Sequence, residues 1–205
     1  TDKSRVQGLS PADFIYLLMP DRFANGDPTN DSVKGMSIEG VNREKMYFRH
    51  GGDLQGVIDN LDYLKSLGIT AIWLNPVVEC DQPYESYHGY AITNHYLIDR
   101  RFGSNEKYLE LVQKAHEKGI KIIMDIVPNH MAFNSQNQLL VDVLENGPDS
   151  PYHEFFDINW NHLYEGIRGR VLAPFLGKFY GECLESGELQ LRYSEQGLAV
   201  HYYDF

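Results

Sequence analysis

Three polar residues follow directly on a short apolar run in the middle of the chain. The run ends at Met124, and Asp125, Asn129 and His130 come within the next six residues. A short apolar run of this kind predicts a buried strand, which delivers the residues after it to the edge of a sheet. In α/β barrels the C-terminal ends of the strands carry the chemistry. We therefore predict that this carboxylate, amide and imidazole belong to a functional site.

A second group of polar residues surrounds Gly26 and Pro28, and one further Asp follows later in the chain. Its members are Asn25, Asp27, Asn30, Asp31 and Asp53. Carboxylate and amide oxygens are hard ligands of the kind that Ca²⁺ prefers. The spacing is not that of an EF-hand, because no Gly falls at the sixth position and no Glu at the twelfth. A calcium site and a solvated, Asx-rich turn are therefore the two interpretations.

The elements that must position these residues begin with three strands. Apolar runs predict them near residues 14–18, 70–75 and 121–127, and the strands alternate with helical patterns. Such alternation predicts parallel strands with right-handed crossovers. The loops after the strands are much longer than those after the helices, which is typical of a TIM barrel. A doubly wound open sheet is the alternative, although no Gly-rich phosphate loop follows the first strand.

Two helices are predicted between the strands, near residues 54–67 and 105–118. Apolar residues recur there at helical spacing. Asp53 is a suitable N-cap for the first helix. Gly68 and Gly119 supply left-handed stops after the two helices.

The character of the sequence changes after His130. Gly, Pro and aromatic residues dominate, and alternating patterns near residues 188–193 and 198–203 predict a hairpin. We therefore predict two parts. Residues 10–130 form the first three βα units of a barrel, and residues 131–205 form an irregular β-rich insertion after the third strand.

Composition restricts the partners. A net charge of -11 in 205 residues disfavours nucleic acid, whose phosphates would be repelled. No apolar run approaches the roughly 20 residues of a membrane helix, so we expect no membrane partner. Two cysteines do not make a disulfide scaffold. The N-terminus shows no signal-peptide pattern but begins at Thr1, so the compartment stays open between cytoplasmic and periplasmic or secreted, as does the oligomeric state.

Several blocks of the sequence, in order, resemble the α-amylase superfamily of glycoside hydrolases. Over residues 14–125 the resemblance is to its amylase, neopullulanase and cyclomaltodextrinase branch, and over residues 125–205 it moves to its maltooligosyltrehalose synthase branch. The first set of blocks lies at residues 21–27, 51–56, 68–76, 87–90 and 99–103, and the second at 127–132, 142–148, 156–160 and 168–172. The pattern Asp-x-Val-x-Asn-His at residues 125–130 is shared by both. The chain is thus similar to a mosaic, either a recombinant of two relatives or one lineage with both patterns.

The resemblance implies roles for the residues at the strand ends. Tyr90 would be a platform that stacks on a sugar ring, since an aromatic face suits the apolar C–H face of glucose. His88 would lie nearby, and His130 would donate a hydrogen bond to a sugar hydroxyl. Asp125 would orient the Arg that precedes the nucleophile, with Asn129 in support. The partner implied is an α-glucan or maltooligosaccharide.

The resemblance also makes the calcium hypothesis specific. In the related branch the loop at residues 25–31 and the block at residues 51–53 meet around one Ca²⁺, and Gly51 contributes its carbonyl oxygen. Asn129 matches a position that binds another calcium in many amylases, although the residues after it depart from that branch.

The catalytic carboxyl groups are not recognisable in this chain. Retaining glycosidases need a nucleophile and an acid/base, which the superfamily carries after its fourth and fifth strands. The stretch nearest to the fourth-strand pattern Gly-x-Arg-x-Asp is at residues 166–170, where Arg170 occupies the place of the Asp. We therefore expect the N-terminal portion of an enzyme that acts on α-1,4-glucans, inactive as this isolated chain. The alternatives are a piece of a maltooligosyltrehalose synthase, or an inactive relative that at most binds oligosaccharide.

Overall fold

The computed structural model describes residues 8–172, 175–195 and 197–203 of the chain. The chain divides into two compact units, with the boundary between Leu140 and Val141. The boundary predicted from the sequence lies somewhat earlier, between residues 130 and 131. Among the described residues no helix is long and apolar enough to cross a membrane.

The first unit alternates strands and helices. Its strands are β1 (Ile15–Leu18), β2 (Ala71–Leu74), β3 (Val78–Glu79), β4 (Asn94–Ile98) and β5 (Lys121–Met124). Its helices are α1 (Pro20–Phe23), α2 (Leu54–Asp59), α3 (Leu61–Ser66) and α4 (Asn105–Glu117).

The strands β1, β2 and β5 form a parallel sheet in the order β1-β2-β5. Leu18, Leu74 and Met124 are register partners, so the three strands end at the same edge of the sheet. The three strands predicted from the apolar runs are therefore confirmed, as is their parallel direction. The short strands β3 and β4 pair antiparallel in the loop region between β2 and α4.

The hydrophobic core lies on one face of this sheet. Leu61, Leu64 and Leu111 from the helices are fully buried in one cluster with Ile72 and Leu74 of β2. Because side chains alternate across a strand, the residue between Ile72 and Leu74 points to the opposite face of the sheet. That residue is Trp73, which is 40% exposed, and its register partner Leu17 is 60% exposed.

The helix predicted near residues 54–67 is interrupted at Asn60. This residue has φ -105° and ψ 11°, and its side-chain Nδ2 donates to the carbonyl of Gly56 at 2.8 Å. The predicted N-cap is confirmed, because the Asp53 carboxylate accepts from the Gly56 amide at 2.6 Å. Gly68 and Gly119 have φ of +81° and +70°, so both stops adopt the left-handed conformation that favours glycine.

The second unit contains α6 (Tyr180–Glu185) and a hairpin of β6 (Leu189–Ser194) and β7 (Gly197–Tyr202), while α5 (Gln138–Asn146) crosses the boundary. The predicted hairpin is confirmed as an antiparallel pair. One residue of its turn, Gln196, lies outside the described residues, as do residues 204–205 at the end of the predicted insertion. The two helices add to the β-rich structure that the sequence predicts.

Candidate functional site

The candidate site lies at the edge where the three parallel strands end. Asp125 follows β5 directly, and its backbone amide donates to the carbonyl of Leu74 at 3.3 Å. The chain after β2 brings His88 and Tyr90 to the same place. Four residues that the sequence singles out, the fourth being His130, therefore lie together.

Tyr90 and Asp125 are joined by a hydrogen bond although they lie far apart in the sequence. The Tyr90 hydroxyl donates to Asp125 Oδ2 at 2.8 Å, and the indole Nε1 of Trp73 donates to the same oxygen at 3.3 Å. Partial burial, and then the hydrogen bond to the carboxylate and its charge, raise the pKa of Tyr90 to about 12. The hydroxyl therefore remains protonated, and remains a donor, at neutral pH.

His130 is hydrogen-bonded to the backbone of Tyr90. Its Nε2 lies 2.8 Å from the Tyr90 carbonyl oxygen, which can only accept, so Nε2 carries the hydrogen. The other ring nitrogen, Nδ1, lies 3.1 Å from the side-chain nitrogen of Asn129, which donates to it. Both nitrogens of His130 are thus engaged within the protein. The family resemblance implies that His130 donates to a sugar, and in this arrangement it would first have to release Tyr90.

His88 is the imidazole whose donor is available. Its Nδ1 accepts from the Tyr90 backbone amide at 2.9 Å, which leaves the hydrogen on Nε2. Burial lowers the pKa of His88, with a smaller opposing effect from Glu85, so the ring is neutral at neutral pH. The His88 and Tyr90 rings lie 5.8 Å apart with 32° between their planes. The two rings are therefore tilted towards each other, and the Nε2–H of His88 has no hydrogen-bond acceptor among the described residues.

The backbone beside these rings is fixed by a glycine. Gly89 has φ +82°, and a Cβ there would lie 2.1 Å from the carbonyl oxygen of Pro76. No other residue fits without moving the chain. The Asn75 side chain also donates to the His88 carbonyl at 3.4 Å. The position of Tyr90 is therefore set by contacts on both sides of it.

Asp53 lies at the centre of the residues predicted to bind calcium. It is fully buried, and each carboxylate oxygen accepts two bonds. Oδ1 accepts from the backbone amides of Gly26 at 3.1 Å and Gly56 at 2.6 Å. Oδ2 accepts from the backbone amide of Asp27 at 2.8 Å and the side chain of Asn30 at 3.3 Å. Asp53 therefore holds the loop around Gly26 against the start of α2.

Two side-chain oxygens in this group are buried and have no hydrogen-bond partner, Oδ1 of Asn25 and Oδ1 of Asn30. Each unpaired buried acceptor costs about 1–3 kcal/mol. The Asn25 Nδ2 donates to Asp31 Oδ1 at 2.7 Å. Burial, and then repulsion from Asp53, raise the pKa of Asp31. Gly51 has φ +87°, and a Cβ there would meet Asp31 Oδ1 at 2.6 Å. A bound cation would be coordinated by the two unpaired asparagine oxygens, and its charge would stabilise the ionised form of the Asp31 carboxylate.

Asp27 is, like Asp53, a predicted ligand whose carboxylate already accepts hydrogen bonds within the protein. Its Oδ1 accepts from the Thr29 amide at 3.1 Å and the Thr29 hydroxyl at 2.6 Å, and these bonds lower the pKa of Asp27. Among the described residues no three His, Cys, Asp or Glu side chains come close enough together to hold a metal ion. A calcium ion here would therefore depend on asparagine and backbone oxygens as well as carboxylates.

Residues 15–182 match the family profile described as "Alpha amylase, catalytic domain". The chain belongs to the α-amylase family. It is 42% identical over 144 residues to a cyclomaltodextrinase of Thermoanaerobacter pseudethanolicus and 40% identical over 144 residues to neopullulanase 2 of Thermoactinomyces vulgaris. Each alignment covers 70% of this chain and 24% of the relative, so the chain spans about a quarter of the length of the curated relatives it matches.

The crystal structure of a maltooligosyl trehalose synthase is also similar to this member of the α-amylase family. The TM-score is 0.58 at 34% identity, over 75% of this chain and 20% of that one. The resemblances to the cyclomaltodextrinase and neopullulanase branch and to maltooligosyltrehalose synthase, both identified from the sequence, are therefore confirmed. A junction near residues 125–130 stays a prediction.

Two features of this α-amylase-family site are not evident from the sequence. The first is Trp73, whose indole shares the Asp125 carboxylate with Tyr90. The second is the buried ion pair of Arg101 and Asp99, joined by bonds of 2.9 and 2.7 Å. Arg101 also donates to the hydroxyl of Ser86 at 3.2 Å and so anchors the turn that precedes Tyr90. In the sequence, the signal for this ion pair is that Asp99 and Arg101 both lie inside the block at residues 99–103, which resembles the α-amylase superfamily.

Proposed function

We propose that this chain is the N-terminal part of an α-amylase-family (β/α)₈ catalytic domain and that it holds an α-1,4-glucan on the ring of Tyr90. The observation that carries the proposal is the hydrogen bond between Tyr90 and Asp125. It fixes an aromatic ring that is 38% exposed at the C-terminal edge of a parallel sheet. That edge is where barrels of this class bind their substrates.

The neighbouring groups have distinct tasks in this proposal. The Tyr90 ring stacks on the apolar face of a glucose unit. The Nε2–H of His88 donates to a sugar hydroxyl, while His130 and Asn129 keep the Tyr90 backbone in place. Tyr90 and Trp73 both donate to Oδ2 of Asp125. The second oxygen of Asp125 then remains available to orient an arginine supplied by a later strand.

Bond cleavage is assigned to groups outside this set. A retaining mechanism needs two carboxyl groups about 5–5.5 Å apart, one as nucleophile and one as acid/base. In the proposed domain they follow later barrel strands, and the parallel sheet of the described residues has three strands. We expect the isolated chain to bind glucan without hydrolysing it.

Transglucosylation is the second candidate for the whole domain. The observation that favours it is the similarity to maltooligosyl trehalose synthase, which covers 75% of this chain. The cyclomaltodextrinase and neopullulanase relatives favour hydrolysis of α-glucans instead, at higher identity. Both candidates use the same sugar-holding residues, so the proposal for Tyr90 does not depend on the choice.

We further propose that the Asp53 region binds one Ca²⁺. Asn25, Asn30, Asp31, Gly51 and Asp53 would hold the ion, with Asp27 joining them if its carboxylate leaves Thr29. The ion would supply positive charge to a region that contains two buried, unpaired asparagine oxygens and the Asp31 carboxylate, whose ionised form is disfavoured by burial and by Asp53.

The glucan proposal is tested by isothermal titration of the chain with maltotetraose. Replacing Tyr90 with Ala removes the stacking surface and should weaken binding by roughly 5- to 30-fold, the equivalent of about 1–2 kcal/mol. Tyr90→Phe retains the ring and should bind more tightly than Tyr90→Ala. The matched control is Tyr63→Ala, since Tyr63 is 56% exposed on α3. Equal affinities for Tyr90→Ala and the unchanged chain would refute the platform.

A further inference from the structure

A cleft of about 600 Å³ opens in the second unit of the chain. Its volume falls in the range of small-molecule sites. Its lining residues come from one stretch of chain and are His153, Glu154, Phe155, Phe156, Asp157, Ile158 and Trp160. The cleft shares no residue with the site around Tyr90.

Three of the residues that line the cleft are aromatic. The rings of Phe155 and Phe156 lie 5.4 Å apart, edge to face, with 68° between their planes. Trp160 adds the largest aromatic surface, and its Nε1–H is buried without an acceptor. An unpaired buried donor is costly. Three aromatic side chains therefore line the cleft, and the buried Nε1–H of one of them has no hydrogen-bond partner.

The polar groups of the cleft restrict its ligand. Glu154 and Asp157 line it, and no Lys or Arg does, so its carboxylates repel phosphates and other anions. No three His, Cys, Asp or Glu side chains in the described part of the chain are arranged to hold a metal ion. A neutral ligand with hydroxyl groups and apolar faces matches this lining, because hydroxyls donate to carboxylates while C–H faces cover aromatic rings. A pyranose ring has this chemistry.

We propose that this cleft is a second α-glucan-binding site. The ligand class rests on the proposed function, whereas the residues belong to the second unit alone. Glu154 and Asp157 accept hydrogen bonds from sugar hydroxyls, and Phe156 and Trp160 cover the ring face. The consequence is that each unit of the protein has its own binding site for α-glucan.

The two tryptophans of the sequence allow each site to be observed separately. Trp73 donates to the Asp125 carboxylate of the first site, and Trp160 lines the cleft. Trp73→Phe leaves Trp160 as the sole indole, and Trp160→Phe leaves Trp73. Each variant is titrated with maltotetraose while tryptophan emission is recorded. Saturation-transfer NMR of maltotetraose on the same samples detects binding that leaves the emission unchanged.

A saturable change of Trp160 emission in the Trp73→Phe chain is the expected result. Adding Asp157→Asn to that chain should weaken the affinity by about three- to ten-fold, the effect of one lost hydrogen bond. Asp149→Asn is the matched control, since Asp149 is an exposed carboxylate of the same unit outside the cleft, and it should leave the affinity unchanged.

The outcomes separate the two proposals. If Trp73 emission responds while Trp160 emission does not, and Asp157→Asn leaves the affinity measured by NMR unchanged, the cleft proposal is overturned and the proposed function stands. If Trp160 responds and Trp73 does not, the cleft stands and the Tyr90 site fails. Equal affinities for Asp157→Asn and Asp149→Asn would also overturn the cleft proposal.

Discussion

Asp31→Asn should change thermal stability in opposite directions with and without calcium. In the calcium-free chain, burial and the neighbouring Asp53 raise the pKa of Asp31. A carboxyl whose folded pKa is raised contributes its stability below the unfolded pKa and loses it as the pH rises through the folded pKa. At neutral pH the ionised form is therefore penalised. Asparagine removes the charge and keeps an oxygen for Asn25, so the melting temperature in chelator should rise.

With excess calcium the sign should reverse. An ion that binds only the folded chain at 100 times its Kd stabilises it by about 2.7 kcal/mol. In a chain of this size each kcal/mol shifts the melting temperature by roughly 2–4 °C. The unchanged protein should therefore gain about 5–11 °C on addition of calcium. Asp31→Asn should lose most of that gain, because it removes a charged ligand. Lower pH should also reduce the gain, since protons compete for Asp31.

The assay is a pair of melting curves, in excess calcium and in chelator, for the unchanged chain, Asp31→Asn and the control Asp149→Asn. The control should follow the unchanged chain under both conditions. Melting temperatures that do not respond to calcium would refute the site. An equal shift of Asp31→Asn in both conditions would show that this carboxylate affects the stability of the loop without binding a metal.

Three further predictions concern the N-cap Asp53, the glycine beside Tyr90 and the activity of the isolated chain. Asp53→Ala should abolish the calcium response and also cost more than about 1 kcal/mol in chelator, because it removes the N-cap of α2 together with three other hydrogen bonds that hold the loop around Gly26; retention of the response in melting curves would contradict this. Gly89→Ala should displace Tyr90 and return its pKa from about 12 towards its ordinary value, measured by NMR of ¹³C-labelled tyrosine; an unchanged titration would show that Gly89 does not position the ring. The isolated chain should release no glucose or maltose from maltotetraose, and measurable release by chromatography would place catalytic carboxylates within it.

The parallel sheet is predictable from the sequence because each strand consists mainly of apolar residues. The preceding glycines Gly68 and Gly119 also mark where two of the strands begin. The break at Asn60 is not predictable from the same pattern, since the apolar stripe continues through it. It depends on a side-chain bond from Asn60 to the Gly56 carbonyl. Periodicity reports which face is buried, but not whether the backbone bonds of the helix are continuous.

The residues of the candidate site can be predicted from the sequence, whereas most of the hydrogen bonds between them cannot. Residue types and the resemblance to the family single out Tyr90 and Asp125. The indole of Trp73 and the engagement of both ring nitrogens of His130 depend on contacts between segments that are distant in the sequence. The family resemblance implies that His130 is the sugar donor, whereas the hydrogen bonds of the two imidazoles favour His88. Which imidazole has a free N–H is decided by the tertiary structure alone.

The most direct test of glucan binding at the strand ends is an NMR titration of the chain with maltotetraose. The side-chain resonances of Tyr90, His88 and His130 are followed, with His116 as the reference because it is exposed on α4. We predict saturable shifts at Tyr90 and His88, a smaller shift at His130, and none at His116. Resonances of Tyr90 and His88 that stay as constant as that of His116, at saturating maltotetraose, would contradict the account.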